Sequence, residues 1–356
     1  MTEKNYNVIG VMSGTSLDGT DLAHILFTER NGVWDFEIKQ TETVPYSYAW
    51  LNRLKGAIDY NERLLEELDH DYTALLANII RNFISKHNIK MLDAVCSHGH
   101  TILHRPQEGV TLQIGNLAQI AALTGQTVVC DFRVQDVMLG GQGAPLVPIG
   151  DRLLFSNFDY CLNLGGFSNI SFEEGGNRVA FDICPVNTVL NHYANRLGYA
   201  YDDGGGIAKN GKFNADLFYE LESLDFYMAP YPKSLGLEFV KQTVIPLIEN
   251  YNIQTEDKLH TFTEHIASQI AQVMAKNKRG SLLVTGGGAY NTYLLGRMQE
   301  SMLNTIISVP DDNTIQFKEA LIFALLGVLK LRGDINVLGS VTGAVRDHSS
   351  GKIFKV

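Results

Sequence analysis

Residues 11–21 read VMSGTSLDGTD. An apolar run at 6–12 precedes the turn at 13–19, and a second apolar run follows at 20–27, which predicts a β-hairpin. Within the turn, Gly14 and Gly19 enclose Thr15, Ser16, Leu17 and Asp18. Small residues let backbone N–H groups approach an oxyanion, hydroxyls add donors, and a carboxylate can hold Mg²⁺ or its water shell. The segment lacks GKS or GKT and leads into a strand, so it is neither a P-loop nor a dinucleotide fingerprint. Read alone, it is equally an ordinary tight hairpin.

Outward from this turn, Leu65, Leu68, Tyr72, Leu75, Leu76, Ile79 and Phe83 recur at helical spacing. Short buried strands are predicted at 94–97 and 127–130. The Gly- and Pro-rich segment LGGQGAPLVP at 139–148 then breaks the pattern, and the crossing between domains is expected close to it. The second half restarts with a strand and glycine turn at 160–171, holding LNLGGFSN with Gly165 and Gly166, in the character of the first hairpin. A helix carrying Leu259, Phe262, Ile266, Ile270 and Val273 follows. After it come the strand 281–284, ending in Gly286, Gly287 and Gly288, and a helix at 319–331.

Alternating strands and helices imply sheets covered by helices. The expected architecture is α/β, two-lobed, with ligands in a central cleft. The expected domains are 1–135 with the first turn, 136–335 with the second and third, and 336–356 as a tail able to return to the first lobe. A chain of 356 residues exceeds what one hydrophobic core usually supports.

With 45% hydrophobic and 19% charged residues and no low-complexity tract, the chain has the composition of a folded protein. A net charge of −10 disfavours nucleic acid and anionic lipid and leaves a small phosphate ligand with Mg²⁺. The apolar stretch 320–329 is about half of the roughly 20 residues a membrane span needs, and the N-terminus lacks a signal-peptide pattern. A cytoplasmic protein with no membrane partner is expected, and a homodimer is allowed for. Cys96, Cys130, Cys161 and Cys184 have no CxxC spacing and read as buried reduced thiols. His98, His100 and His104 lie close together but lack a helical HExxH face or further ligands, so contact with a ligand is favoured over metal.

In order and spacing, the three glycine turns resemble the two phosphate turns and the adenosine turn of the sugar kinase, Hsp70 and actin superfamily. MSGTSLDGTD, TLQIGN from Thr111, DFRVQDVMLGGQGAPLVP from Asp131, LNLGGFSN, YPKSLGLEF from Tyr231, TGGGAYN and VTGA from Val341 resemble the anhydro-N-acetylmuramic acid kinase family over nearly the whole chain. The resemblance implies an enzyme of peptidoglycan recycling. It would use ATP, Mg²⁺ and water to open 1,6-anhydro-N-acetylmuramic acid and phosphorylate O6.

The same resemblance makes Asp182 the base that activates water, although pattern alone favours a cap for a helix starting near Pro185. Asp18 would position Mg²⁺, and the glycines of the three turns would hold the nucleotide. His98, Thr101, Arg133, Asn187 and Glu319 would contact the sugar, with the Arg133 guanidinium suited to the lactyl carboxylate. The residue-level alternatives are a structural salt bridge in the Asp131–Arg133 segment and a helix-dipole role for Glu319. Lys209 and Lys233 are candidate cleft cations. The chain departs from the family where DTGPGN is DICPVN (182–187) and HGQT is HGHT (98–101). Two other readings are therefore a kinase for a different amino sugar and an actin-like ATP-binding sensor without phosphoryl transfer.

Overall fold

The computed structural model describes residues 3–14, 17–275 and 280–356. In chain order its strands are β1 (Glu3–Ser13), β2 (Thr20–Arg30), β3 (Val33–Val44), β4 (Ala94–Arg105), β5 (Val110–Ile114) and β6 (Val128–Cys130). They continue with β7 (Tyr160–Leu164), β8 (Phe167–Glu174), β9 (Asn177–Pro185), β10 (Gly280–Thr285), β11 (Thr305–Ser308) and β12 (Lys352–Phe354). Among the helices, α1 (Glu62–Lys86), α2 (Asn187–Arg196), α3 (Thr255–Met274) and α4 (Asp312–Arg332) carry the main packing faces.

The chain divides into two compact units, Met1–Leu154 with Phe317–Val356, and Phe155–Gln316. The divisions fall at 154/155 and 316/317, where the sequence pattern had placed them at 135/136 and 335/336. The difference has a packing cause. Buried Asp151 pairs with buried Lys318 at 2.8 Å, and a Cβ on Gly150 would lie 2.1 Å from Ile322 Cδ1. These contacts keep the LGGQGAPLVP segment and the helix after it inside the first unit. Residues 336–356 contribute β12, which pairs with the β6 edge of the same sheet.

The first unit's sheet runs β12-β6-β4-β1-β2-β3, with β5 paired to the outer half of β4. Its β1, β2 and β3 form an antiparallel meander, while β4 and β6 are added in parallel beside β1. The second unit's sheet runs β11-β10-β7-β8-β9, again an antiparallel meander with two parallel strands beside its first member. The same topology thus occurs twice, as the echo between the two glycine-turn hairpins predicts. This is the expected α/β class, in two units.

Parallel pairs need crossover connections, and the helices that make them cover the sheets. The periodic face of α1 buries Leu68, Tyr72, Leu76, Ile80 and Phe83 against Ile9, Val11 and Val95. Asn61 starts that helix by accepting from the Leu64 N–H. In the second unit, Leu259, Phe262, Ile266 and Ile270 of α3 share a core with Leu162, Ile183, Leu282 and Val284. Each such side chain contributes roughly 1.5–3 kcal/mol by leaving water.

Helix α4 starts at Asp312, before the predicted 319, and departs from helical geometry at Phe317 (φ −111°, ψ 16°), where the unit division falls. From Ala320 to Leu329 it is buried all round, so its apolar composition reflects a core helix. Among the described residues no helix is long and apolar enough to cross a membrane. A Cβ on Gly10 would lie 2.0 Å from Ala320 O, and one on Gly327 would lie 2.2 Å from Cys96 Sγ. Glycine at these points lets α4 approach β1 and β4 closely.

Candidate active site

In the first unit, β1 and β2 pair as far as Met12 and Asp21, and the predicted turn joins them. Leu17 has φ 62° and donates its N–H to Gly14 O at 3.3 Å. Gly19 passes so close to β3 that a Cβ there would lie 2.4 Å from Val44 O. Asp18 is exposed. Burial raises the pKa of Asp21 and the negative charge of Asp18 adds to this, while the Thr43 hydroxyl opposes it. Thr15 and Ser16 lie outside the described residues.

The two ends of this turn rest on a buried polar network that the sequence did not disclose. Ser13 Oγ lies 2.6 Å from Tyr46 OH and 2.8 Å from His100 Nδ1. Tyr46 OH lies 2.6 Å from Tyr72 OH and 3.1 Å from Thr20 Oγ1. Burial lowers the His100 pKa to about 4, so its ring is neutral near pH 7. The expected sugar-side replacement in HGHT is therefore tied to the turn through Ser13, with only 2% of His100 exposed.

His98, Arg133 and Glu319 belong to the same unit. Arg133 donates from Nε to His98 Nε2 at 2.8 Å and from a terminal nitrogen to Gly143 O at 2.6 Å. With Nε2 as the acceptor, His98 carries its proton on Nδ1 and donates it to Gly99 O at 3.0 Å. Burial and the Arg133 charge hold the pKa of His98 well below its ordinary value. Burial moves the Arg133 pKa down to about 10, still cationic near pH 7, and the negative charge of Glu319 supports that cation. Glu319 is reachable by solvent, yet desolvation by the surrounding protein raises its pKa against the pull of Arg133.

Arg133 makes no salt bridge with Asp131, which pairs instead with Lys352 at 2.7 Å. Thr101 is half-buried beside Gln113 on β5, its hydroxyl 3.4 Å from the Gln113 amide. Asp136, fully buried, accepts from Gly143 N and from the Thr342 hydroxyl, each at 2.7 Å. That links the LGGQGAPLVP and VTGA segments.

In the second unit the other two glycine turns pack on each other. A Cβ on Gly286 would lie 2.5 Å from Asn163 Oδ1, and one on Gly288 would lie 2.6 Å from Leu164 Cβ. Asn187 donates its N–H to Gly165 O at 3.2 Å and its amide to Leu164 O at 3.3 Å, while Val186 N donates to Gly166 O at 2.9 Å. A Cβ on Gly287 would lie 3.8 Å from the Asn187 amide nitrogen. Gly165, Gly166, Asn187 and Gly286 to Gly288 are thus one cluster at the start of α2.

Asp182 lies on β9, before the first turn of α2, and does not cap that helix. Its N–H donates to Lys233 O at 3.0 Å, and its Oδ2 accepts from Leu235 N at 2.8 Å. Oδ1 accepts no hydrogen bond among the described residues. Desolvation raises the Asp182 pKa, partly offset by the Leu235 N–H. Lys233 turns its ammonium onto Phe226 O at 2.9 Å and Tyr227 O at 3.4 Å, while Lys209 is exposed.

Cys184 and Val186, the departures within DICPVN, are both fully buried. Cys184 packs against Ser168 and burial pushes its thiol up to about 12. All four cysteines are buried. A cavity of about 590 Å³ is lined by Phe181 and Ile183, the neighbours of Asp182, together with Tyr227, Tyr231 and Lys233. Asp182 is not among its lining residues. Among the described residues no group of three or more His, Cys, Asp or Glu side chains gathers as a metal cage.

A family model described as anhydro-N-acetylmuramic acid kinase matches residues 6–356. A curated protein of that name from Aliivibrio fischeri is 34% identical, covering 97% of this chain and 98% of its own length. Another from Shewanella sediminis is also 34% identical, with the same shares of the two chains. A solved ROK family glucokinase from Streptomyces griseus, in complex with glucose and AMPPNP, shares 12% identity at a TM-score of 0.42 and covers 90% of this chain and 99% of that one.

Proposed function

This chain belongs to the anhydro-N-acetylmuramic acid kinase family, and from that membership we propose the reaction and the residues that carry it. The enzyme uses ATP and water to convert 1,6-anhydro-N-acetylmuramic acid into N-acetylmuramic acid 6-phosphate and ADP. Water adds to C1, the C1–O6 bond breaks, and O6 takes the γ-phosphoryl group as ADP leaves. This reaction belongs to peptidoglycan recycling, and we place it in the cytoplasm, where ATP is available.

Asp182 takes the proton from water. The observation that supports this role is its half-committed carboxylate: Oδ2 is fixed by Leu235 N–H, Oδ1 has no hydrogen-bond donor among the described residues, and desolvation makes the group a stronger base. Thr101, Asn187 and Glu319 contact the sugar, while His98, buried with both ring nitrogens engaged, acts through Arg133. Arg133 receives the lactyl carboxylate, its Nε and one terminal nitrogen held by His98 and Gly143. Gly14 to Gly19, Gly165, Gly166 and Gly286 to Gly288 hold the nucleotide through their backbones.

Asp18, with the Asp21 carboxylate close by, suits Mg²⁺, an ion that keeps much of its water and needs only one or two carboxylates beside the phosphates. Bound there, Mg²⁺ would neutralise charge on the transferring phosphoryl group. The departures in DICPVN and HGHT fall on buried side chains, so they give no support to a different amino sugar. Retention of Asp182 speaks against a sensor that has lost phosphoryl transfer.

A coupled assay for ADP release across anhydro and ordinary amino sugars tests the substrate. Turnover should require the 1,6-anhydro form of N-acetylmuramic acid. Equal turnover of the ring-opened sugar would remove the hydrolytic step from the reading.

A further inference from the structure

We infer that the segment Tyr231 to Leu235 is a strap that positions Asp182, and that Tyr231 is the positioning residue through which the sequence controls it. The inference rests on the reading of Asp182 as the base. Residues on both sides of Ser234 bind the same aspartate: Lys233 O accepts from Asp182 N at 3.0 Å, and Leu235 N donates to Asp182 Oδ2 at 2.8 Å. One attachment fixes the backbone and the other fixes the carboxylate plane, which leaves Oδ1 to face the proton it must accept.

Both attachments to Asp182 come from the strap's backbone, so its side chains act by holding the segment in place. The Tyr231 ring stacks on Phe181 with centroids 4.7 Å apart and planes 3° from parallel, and it meets Phe172 edge-on at 6.3 Å. Its hydroxyl donates to the Glu174 carboxylate, 2.7 Å from each oxygen. The Lys233 ammonium, 4.5 Å from the Phe226 ring centroid, is bound to two backbone carbonyls. Behind these contacts is the cavity of about 590 Å³, walled by Phe172, Phe181, Tyr231 and Lys233. Tyr231 thus packs on the second unit's core where that core meets the cavity, and through it the strap is tied to the sheet that carries Asp182.

A shift of about 1 Å at a reacting group can cost on the order of 10²-fold in rate. Losing the Leu235 N–H would also remove a donor that favours the ionised carboxylate, so the base would titrate at higher pH.

The test compares Tyr231→Ala, Tyr231→Phe and Asp182→Asn in the full chain, with kcat, KM for ATP and sugar, and the pH profile of kcat. Tyr231→Ala should lower kcat by about 10- to 100-fold, leave KM for ATP within about twofold, and move the acid limb upward. Tyr231→Phe keeps the stack and should retain most of kcat with a small upward shift. If Tyr231→Ala does not fold, Glu174→Gln, which weakens the hydroxyl anchor, should show the same direction on a smaller scale.

An acid limb that stays in place, in Tyr231→Ala or in Glu174→Gln when that is the variant measured, overturns the strap; so does a loss confined to KM for ATP. A kcat within about tenfold of the parent in Asp182→Asn overturns the base assignment itself, whatever the tyrosine variants do.

Discussion

Asp182 is a carboxyl that folding makes harder to ionise, and this has a consequence for stability. Its folded pKa lies above the ordinary 3.8, so the native state holds the proton more tightly than the unfolded chain. Stability from this group is present at low pH and is lost as pH rises from the ordinary value through the raised one. Near pH 7 the ionised form is a net cost. Asp182→Asn should therefore unfold at the same or a higher temperature than the parent at pH 7, with the gap closing toward pH 4, while kcat falls by about 10²–10⁴. Thermal unfolding at both pH values checks it, and a variant clearly less stable at pH 7 would make Asp182 a structural residue. The sequence marked Asp182 through the family resemblance, since pattern alone left it a helix cap. It could not mark Leu235, its hydrogen-bond partner, because that N–H comes from 53 residues away. Lys233 was marked for its charge, but its backbone carbonyl meets Asp182 while its ammonium is spent on other carbonyls.

At the scale of elements, the first turn is held from below. Ser13 closes β1, Thr20 opens β2, and the hydroxyls of Tyr46 and Tyr72 with the His100 ring join them in a buried network. A buried donor or acceptor stripped of its partner costs about 1–3 kcal/mol. Ser13→Ala leaves His100 Nδ1 and one side of Tyr46 without that partner, so urea unfolding should show a loss of about that size. KM for ATP should rise as the ends of the turn loosen. An unchanged midpoint and an unchanged KM would mean that the network does not support the turn. Hydrophobic periodicity made α1 and its Tyr72 face legible, since a helix displays its buried side every three or four residues. It did not show where a polar atom inside that face finds its partner. Gly10 was hidden in a similar way: within an apolar run it reads as strand, and only the close approach of Ala320 explains why no side chain fits.

Over the whole molecule, one topology is used twice, and each copy presents a glycine turn at its first hairpin. That much was legible because turns and apolar runs are local signals, and because the family motifs extend along the chain. The unit divisions were less legible. A Gly- and Pro-rich stretch looks like a linker, yet Asp136 and Thr342 hold it inside the first unit. The apolar part of α4 was visible, but the break at Phe317 was not, because nothing in the composition there signals a departure from helix. The reaction proposed for this acidic, two-unit kinase opens an anhydro sugar with water and phosphorylates its O6. The most direct measurement is product analysis after turnover of 1,6-anhydro-N-acetylmuramic acid and ATP in ¹⁸O-labelled water, read before the anomeric oxygen exchanges with solvent. The label should be found in the C1 hydroxyl and be absent from the transferred phosphate. Product with unlabelled C1 oxygen, or label in the phosphate, would contradict it.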